Sequence, residues 1–243
     1  MLVWRSVVVT AFAVASLFAP ILCGRAAHAG AAGTANFLFF GGTDLWRYGD
    51  FLYGGALWSP GGLNNDGVAL KLLLNGGAYN YKSGDLGRGV DGDMFSAAAM
   101  PGWRFTRGGL SVGLFAGPVA QDYRLSPDDP GSRLRGFYAG GQFTGEVWYQ
   151  PTANLMAAMS GSIISIGPTG SLRAAFGVRA FSIVFVGPEA AAFWCGDFQQ
   201  FQFGLHLTGW RWNALEWSAG SGWSMDTDRR SGPYLRVGVS TRY

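Results

Sequence analysis

The chain predicts an all-β protein: a transmembrane antiparallel up-and-down β-barrel of the bacterial outer membrane. Three observations carry that expectation. The final stretch, Pro233-Tyr234-Leu235-Arg236-Val237-Gly238-Val239-Ser240-Thr241-Arg242-Tyr243, puts Leu235, Val237, Val239, Thr241 and Tyr243 on one face of a strand and Arg236, Gly238, Ser240 and Arg242 on the other. Glycine supplies 39 of 243 residues and charged side chains only 14%, against roughly 25% charged in soluble domains. Yet no stretch after residue 30 approaches the roughly 18 consecutive apolar residues of a spanning helix. In lipid every backbone N–H and C=O has to be paired within the protein, so a chain without spanning helices crosses only as a closed barrel.

The N-terminus reads as an export signal. Arg5 supplies the positive start, residues 7–22 are apolar, and Ala27-His28-Ala29 is a small-residue cleavage site. The expected division is therefore a signal peptide over residues 1–29 and a barrel domain over residues 30–243. A lipid-anchored Cys23 is excluded because Leu22 stands where a small residue is needed. Cleavage also removes Cys23 and His28, leaving Cys195 as the sole thiol and His206 as the sole imidazole. Disulfides and two-histidine metal sites are thereby excluded, and no cofactor is expected. With Arg5 and Arg25 gone, 16 of the 18 basic residues face 15 acidic ones. That balance offers no basic surface for nucleic acid.

Residues 34–46 and 51–59 form the first two strands around Arg47-Tyr48-Gly49-Asp50, and Pro60-Gly61-Gly62-Leu63-Asn64-Asn65-Asp66-Gly67 is dense in turn formers. The third strand, 68–81, sets Leu70, Leu72 and Leu74 against Lys71, Asn75 and Tyr79. Residues 82–92 read as a polar loop. A fourth strand, 93–105, returns through Thr106-Arg107-Gly108-Gly109 into a fifth, 110–122, and the longest polar break follows at 123–134. The sixth, 135–149, alternates Phe137, Ala139, Phe143 and Val147 against Tyr138, Gln142, Thr144 and Glu146. Gln150-Pro151-Thr152-Ala153 turns into the seventh, 154–165, and Ile166-Gly167-Pro168 into the eighth, 169–180, where Leu172, Ala174, Phe176 and Val178 oppose Arg173 and Arg179. The ninth spans 183–193. In the tenth, Phe201, Phe203, Leu205 and Leu207 oppose Gln200, Gln202, His206 and Thr208. In the eleventh, Leu215, Trp217 and Trp223 oppose Glu216 and Ser218, and 225–231 is the last loop.

The count is about 12 strands, even as single-chain bacterial barrels require, with 10 or 14 also compatible. With both termini in the periplasm, the long breaks fall outside and the tight turns inside. The eight-residue turn at Pro60 is the exception.

If the apolar faces look toward lipid, Lys71, Arg104, Glu146, Arg173, Arg179, Glu189, Gln200, Gln202, His206, Glu216 and Arg236 look into the lumen. Charges on a spanning wall persist when paired or hydrated. A mixed-sign network plugging a narrow barrel is the first expectation. A polar track for a glycan, including Gln200, Gln202, Tyr138 and Trp148, is the second, and a small-solute pore the third. An enzyme needs a base beside a nucleophile. His206 is the sole candidate base and shows no serine-histidine-aspartate spacing, so no catalytic residue is assigned. Asp128, Asp129, Asp226 and Asp228 lack the ordered spacing of a calcium loop and read as solvated charge. The pairs Gly41-Gly42, Gly54-Gly55, Gly76-Gly77 and Gly140-Gly141 lie within strands, without the strand-to-helix setting of a phosphate loop, and read as places of bending and close packing. Leu235, Val237, Val239 and the terminal Tyr243 read as the outer-membrane assembly signal.

The run Leu57-Trp58-Ser59-Pro60-Gly61-Gly62-Leu63, continuing through Lys71-Leu72-Leu73-Leu74, resembles the cellulose-biosynthesis BcsS family of alphaproteobacteria. Pro101-Gly102-Trp103-Arg104-Phe105, Pro127-Asp128-Asp129-Pro130, Ser165-Ile166-Gly167-Pro168, Gly187-Pro188-Glu189, Glu216-Trp217-Ser218-Ala219 and Asp228-Arg229-Arg230-Ser231-Gly232 extend the resemblance over essentially the whole mature chain. It implies a non-catalytic accessory protein of cellulose synthesis or secretion. The partners it implies are outer-membrane lipids, the glucan chain and the cellulose-synthase export components. A general structural or porin-like barrel is the alternative, and a lipid- or glycan-modifying enzyme a more distant one. The resemblance brings no catalytic residues.

Overall fold

A computed structural model describes residues 35–196 and 198–243, so the expected signal peptide lies outside the described residues. The strands are β1 (Phe37–Trp46), β2 (Gly49–Trp58), β3 (Gly67–Lys82), β4 (Gly89–Arg107), β5 (Leu110–Ser126), β6 (Gly136–Thr152), β7 (Leu155–Ile164), β8 (Thr169–Ala180), β9 (Val184–Cys195), β10 (Phe198–Trp212), β11 (Leu215–Asp226) and β12 (Ser231–Arg242). Each pairs antiparallel with its neighbours in sequence, and β1 pairs with β12 to close the barrel. Among the described residues no helix is long and apolar enough to cross a membrane. Crossing therefore falls to the strands.

The closing ladder runs from Leu38 opposite Arg242 to Trp46 opposite Tyr234. Beyond it, Phe37 and Tyr243 exchange main-chain hydrogen bonds of 2.8 and 2.9 Å. Period-two alternation sorts the side chains as the sequence predicts. Leu72, Leu74, Phe143, Phe176, Phe203 and Leu205 are exposed on the outer wall, while Lys71, Gln142, Thr144, Arg173, Gln202 and His206 are buried inside. Large rings gather on the outer wall near the end that carries the termini, among them Phe39, Trp58, Trp103, Phe105, Trp212 and Tyr243. Amphipathic Trp and Tyr favour the headgroup zone, so these rings mark one edge of the apolar belt.

At the opposite end the strands outrun the sequence reading. β4 is 19 residues long and β5 is 17, and they continue through stretches expected to be loops, with Asp93 opposite Arg124 and Asp91 opposite Ser126. Outside the bilayer both faces of a hairpin are wet, so the apolar alternation that signals a strand is absent there although the ladder persists. The connections left at this end are residues 83–88 and 127–135, with shorter turns between the other pairs.

The long turn after β2 is also resolved. Leu63 at its tip is buried in the barrel mouth, its N–H bonded to the Ala35 carbonyl at 2.8 Å and its carbonyl accepting from Arg104 Nη1 at 2.6 Å. Asp66 accepts from the Thr106 N–H. The turn is long because it folds inward as a stopper.

Because Tyr243 supplies the last rung of the closing ladder, its deletion is expected to reduce the assembled barrel several-fold. Heat-modifiable migration of outer-membrane extracts measures this, and wild-type levels of folded protein would contradict it.

Candidate functional site

Inside the barrel the long side chains meet across the lumen. Arg236 on β12 is the centre of the larger network. Its Nε and Nη2 donate to Asp44 Oδ2 on β1 at 3.1 and 2.9 Å, and its Nη1 donates to both Glu189 carboxylate oxygens on β9 at 3.2 Å. Nη2 also donates to Gln202 Oε1 at 2.7 Å. Glu189 accepts in addition from Arg173 Nε on β8 at 3.0 Å and from the Tyr234 hydroxyl at 2.8 Å. β9 and β12 are not neighbours, so the Arg236 to Glu189 contact spans the lumen. Small residues make the room. A Cβ added at Gly220 would lie 2.2 Å from Glu189 Oε1, and one at Gly42 would lie 2.4 Å from the Tyr53 hydroxyl.

A second crossing joins Lys71 on β3 to Glu146 on β6, again strands that do not pair. Lys71 is only 2% exposed, and its ammonium lies 5.4 and 5.5 Å from the ring centres of Phe40 and Phe115. Stacked faces of this kind hold a desolvated cation. Around it pack Leu38, Leu57, Leu73, Met100 and Val119, with Leu63 of the inward turn closing the end. The lumen is thus occupied by paired charge and apolar side chains.

The other expected lumen residues stand outside these two crossings. Glu216 is bonded to Arg211, at 3.1 and 3.2 Å, and Arg104 clamps the Leu63 turn. Arg179 sits at the rim, donating to the carbonyls of Ala153 and Ser182 at 2.6 and 3.4 Å and covering the Phe185 ring. Gln200 donates to Ser224 at 2.8 Å. His206 is engaged at both nitrogens: Nε2 lies 3.1 Å from the Phe176 carbonyl, which can only accept, so Nδ1 accepts from the Thr208 hydroxyl at 2.9 Å. Trp148 is buried against Met156 and Phe185, away from Gln200 and Gln202, so these residues do not form one track. Asp44 and Tyr234 were not singled out in the sequence. Asp44 falls on a first strand whose glycines and aromatics blur its two faces. Its inward position follows only from its pairing with Arg236.

Of the four acidic loop residues, Asp128 and Asp228 are exposed as expected of solvated charge, at 68% and 47%, while Asp226 and Asp129 are buried and ordered. The Asp226 carboxylate is fully buried against Arg230 at 2.7 Å, and Asp228 meets the same guanidinium at 3.2 Å. Asp129 accepts from the Tyr81 hydroxyl at 2.9 Å and from the Gly131 N–H at 3.2 Å, tethering the β5–β6 loop. Burial pulls this carboxyl upward, but the hydrogen bonds from Tyr81, Ser83 and Gly131 and the Arg135 charge outweigh it and hold it below the usual carboxylate range. Among the described residues no cluster of His, Cys, Asp and Glu has the make-up of a metal site.

Above the filled lumen, at the loop end, opens a cavity of about 450 Å³. Trp46, Tyr48, Tyr79, Tyr81, Phe193 and Phe198 line it, and residues 132–134 of the β5–β6 loop border it. Arg230 organises this vestibule. Its guanidinium lies 4.8 Å from the Tyr48 ring, 5.8 Å from Trp46 and 5.9 Å from Phe198, and it donates to the Asn80 carbonyl at 2.6 Å.

A closed antiparallel sheet with an apolar outer wall and paired charge within defines an outer-membrane β-barrel. The sequence profile of the family described as cellulose biosynthesis protein BcsS matches residues 38–243, and the chain belongs to that family. No curated protein matches by sequence. Similar solved structures include the TodX deltaS2S3 mutant monoaromatic hydrocarbon channel, at 10% identity and TM-score 0.50 over 87% of this chain and 91% of that one. The KdgM porin is similar at 11% identity and TM-score 0.44, over 85% and 99% of the two chains. The translocator domain of the autotransporter NalP from Neisseria meningitidis is similar at 14% identity and TM-score 0.46, over 87% and 89%. At these identities the likeness is one of fold.

Two outcomes follow from this geometry. Arg236→Ala strands the buried Asp44 carboxylate and leaves Glu189 with Arg173 and Tyr234 alone, and is expected to cost about 3–5 kcal/mol, whereas Arg211→Ala, with its guanidinium 40% exposed, should cost about 1 kcal/mol or less. Urea unfolding of the barrel in lipid vesicles checks the contrast; equal losses would refute it. The Asp129 carboxyl carbon, followed by NMR, should titrate below 3.8. Its contribution to the loop is present above 3.8 and lost as pH falls through the lower folded value.

Proposed function

We propose that this protein is a non-catalytic accessory barrel that supports cellulose secretion at the outer membrane without carrying the glucan through its lumen. The observation that carries this reading is the crossing of the lumen by Arg236 to Glu189 and by Lys71 to Glu146, with Leu63 seated in the mouth. Opening a passage would require several buried, paired charges to separate, each left uncompensated at a cost of several kcal/mol. A glucan chain meeting such an interior has no continuous polar track to follow. Support of the export machinery from outside the lumen is the role that remains for a barrel of this family. The termini and the Leu63 turn then face the periplasm, and the vestibule faces out.

A non-catalytic role is further supported by the setting of His206. Both ring nitrogens are committed to neighbours, and Thr208 is the hydroxyl beside it.

In planar bilayers the purified barrel is expected to give no steady conductance, and large stable currents would overturn the closed-lumen reading. Deleting the gene should lower secreted cellulose. Unchanged cellulose together with altered permeability would instead favour a general porin-like barrel. Restoring the gene as His206→Asn should return cellulose to the wild-type level, and loss of function there would revive an enzymatic role.

A further inference from the structure

We infer that the loop-end vestibule is a binding site for a neutral β-linked glucan chain, gripped from outside the barrel. The choice of a β-glucan rests on the cellulose reading above; the capacity to hold a neutral sugar rests on the geometry alone.

The volume of about 450 Å³ lies within the roughly 300–1,000 Å³ of small-ligand pockets. It suits a short run of hexose rings. In a β-linked glucan the hydroxyls are equatorial, so both faces of each ring present axial C–H groups of slight positive charge. Those faces match the negative faces of aromatic rings, while the hydroxyl edge seeks hydrogen-bonding groups. The vestibule supplies both. Trp46, Tyr48, Tyr79, Tyr81 and Phe198 are half-buried around it, and Gln200 and Thr227 add amide and hydroxyl groups to the lining.

The rings are held in place before any ligand arrives. Tyr79 and Tyr81 lie stacked at 6.2 Å, Trp46 and Tyr48 meet edge to face at 5.2 Å, and Arg230 ties Trp46, Tyr48 and Phe198 together. Tyr79 also rests on its paired residue Gly92, where an added Cβ would lie 2.4 Å from the ring. Binding to fixed rings loses little side-chain freedom.

The buried charge of the wall is balanced, since Arg230 is matched by Asp226 and Asp228. The other two cations of the lining, Lys82 and Arg133, are exposed, where salt screens their pull on an acidic ligand. The closed floor beneath makes the site a cup, so the chain docks here without threading.

The test uses the full mature barrel in nanodiscs, titrated with cellohexaose and followed by tryptophan fluorescence and calorimetry. Saturable binding is expected, weakened at least tenfold by Tyr48→Ala or Tyr79→Ala, with the barrel still heat-modifiable. Thr227→Val removes a lining hydroxyl without touching the ring packing, and should weaken binding severalfold if either ring variant fails to fold. Three results would overturn the inference: no binding by the folded barrel, variants that bind like wild type, or equal or tighter binding of maltohexaose or oligogalacturonate. A barrel that binds cellohexaose yet conducts would refute only the closed lumen. A silent barrel that does not bind would refute only this site.

Discussion

The ladder between β1 and β12 is the interaction on which the rest of the molecule depends. A sheet left open in lipid would expose two rows of backbone donors and acceptors to a medium that cannot satisfy them. Closure removes both edges at once, and it does so through the last residues of the chain. The same ladder also sets the interior. It places Arg236 opposite Asp44 and Tyr234 opposite Trp46, so the seam that seals the wall also seeds the charge network and one side of the vestibule.

From that seam the interior follows by accommodation of size. A barrel of twelve strands encloses more space than a single layer of small side chains can fill. Here long residues reach across and glycines stand opposite them. Arg236, Glu189, Tyr234 and Lys71 occupy the volume, and Gly220 and Gly204 leave room for Glu189 and Tyr234. Buried ion pairs are weak evidence for added stability, because desolvation offsets much of the attraction. Their value in this position is that they close the lumen with groups that tolerate only paired arrangements. The Leu63 turn adds an apolar stopper at one end.

The proposed function then rests on the ends of the barrel. With the lumen filled, the chemically distinctive surface is the aromatic cup at the loop end, tied together by Arg230 and bordered by the loop that Asp129 anchors. In the function proposed above, that cup is the surface offered to a glucan chain. Membership of a cellulose biosynthesis family identifies the pathway.

The wall was legible in the sequence because lipid imposes a strict period of two on it. Phe137 to Val147 and Phe201 to Leu207 each declare a face, and the eighth strand begins and ends where the alternation does. The closing strand declared its own sidedness in the same way. The ends of β4 and β5 were not legible, since water on both faces erases that period. Inward orientation of Lys71, Arg173, Glu189 and Arg236 was likewise a local property of each strand. Which of them meet was not, because Arg236 and Glu189 are 47 residues apart on strands that do not pair. The vestibule was the least visible feature of all: Trp46, Tyr79, Phe198 and Arg230 are scattered along the chain and acquire a common surface only on closure. Sequence by itself determined the sidedness of the strands, since a one-residue pattern suffices to separate lipid from lumen. Only the tertiary structure decided the partners across the barrel, because a chord of a closed sheet has no counterpart in the order of the residues.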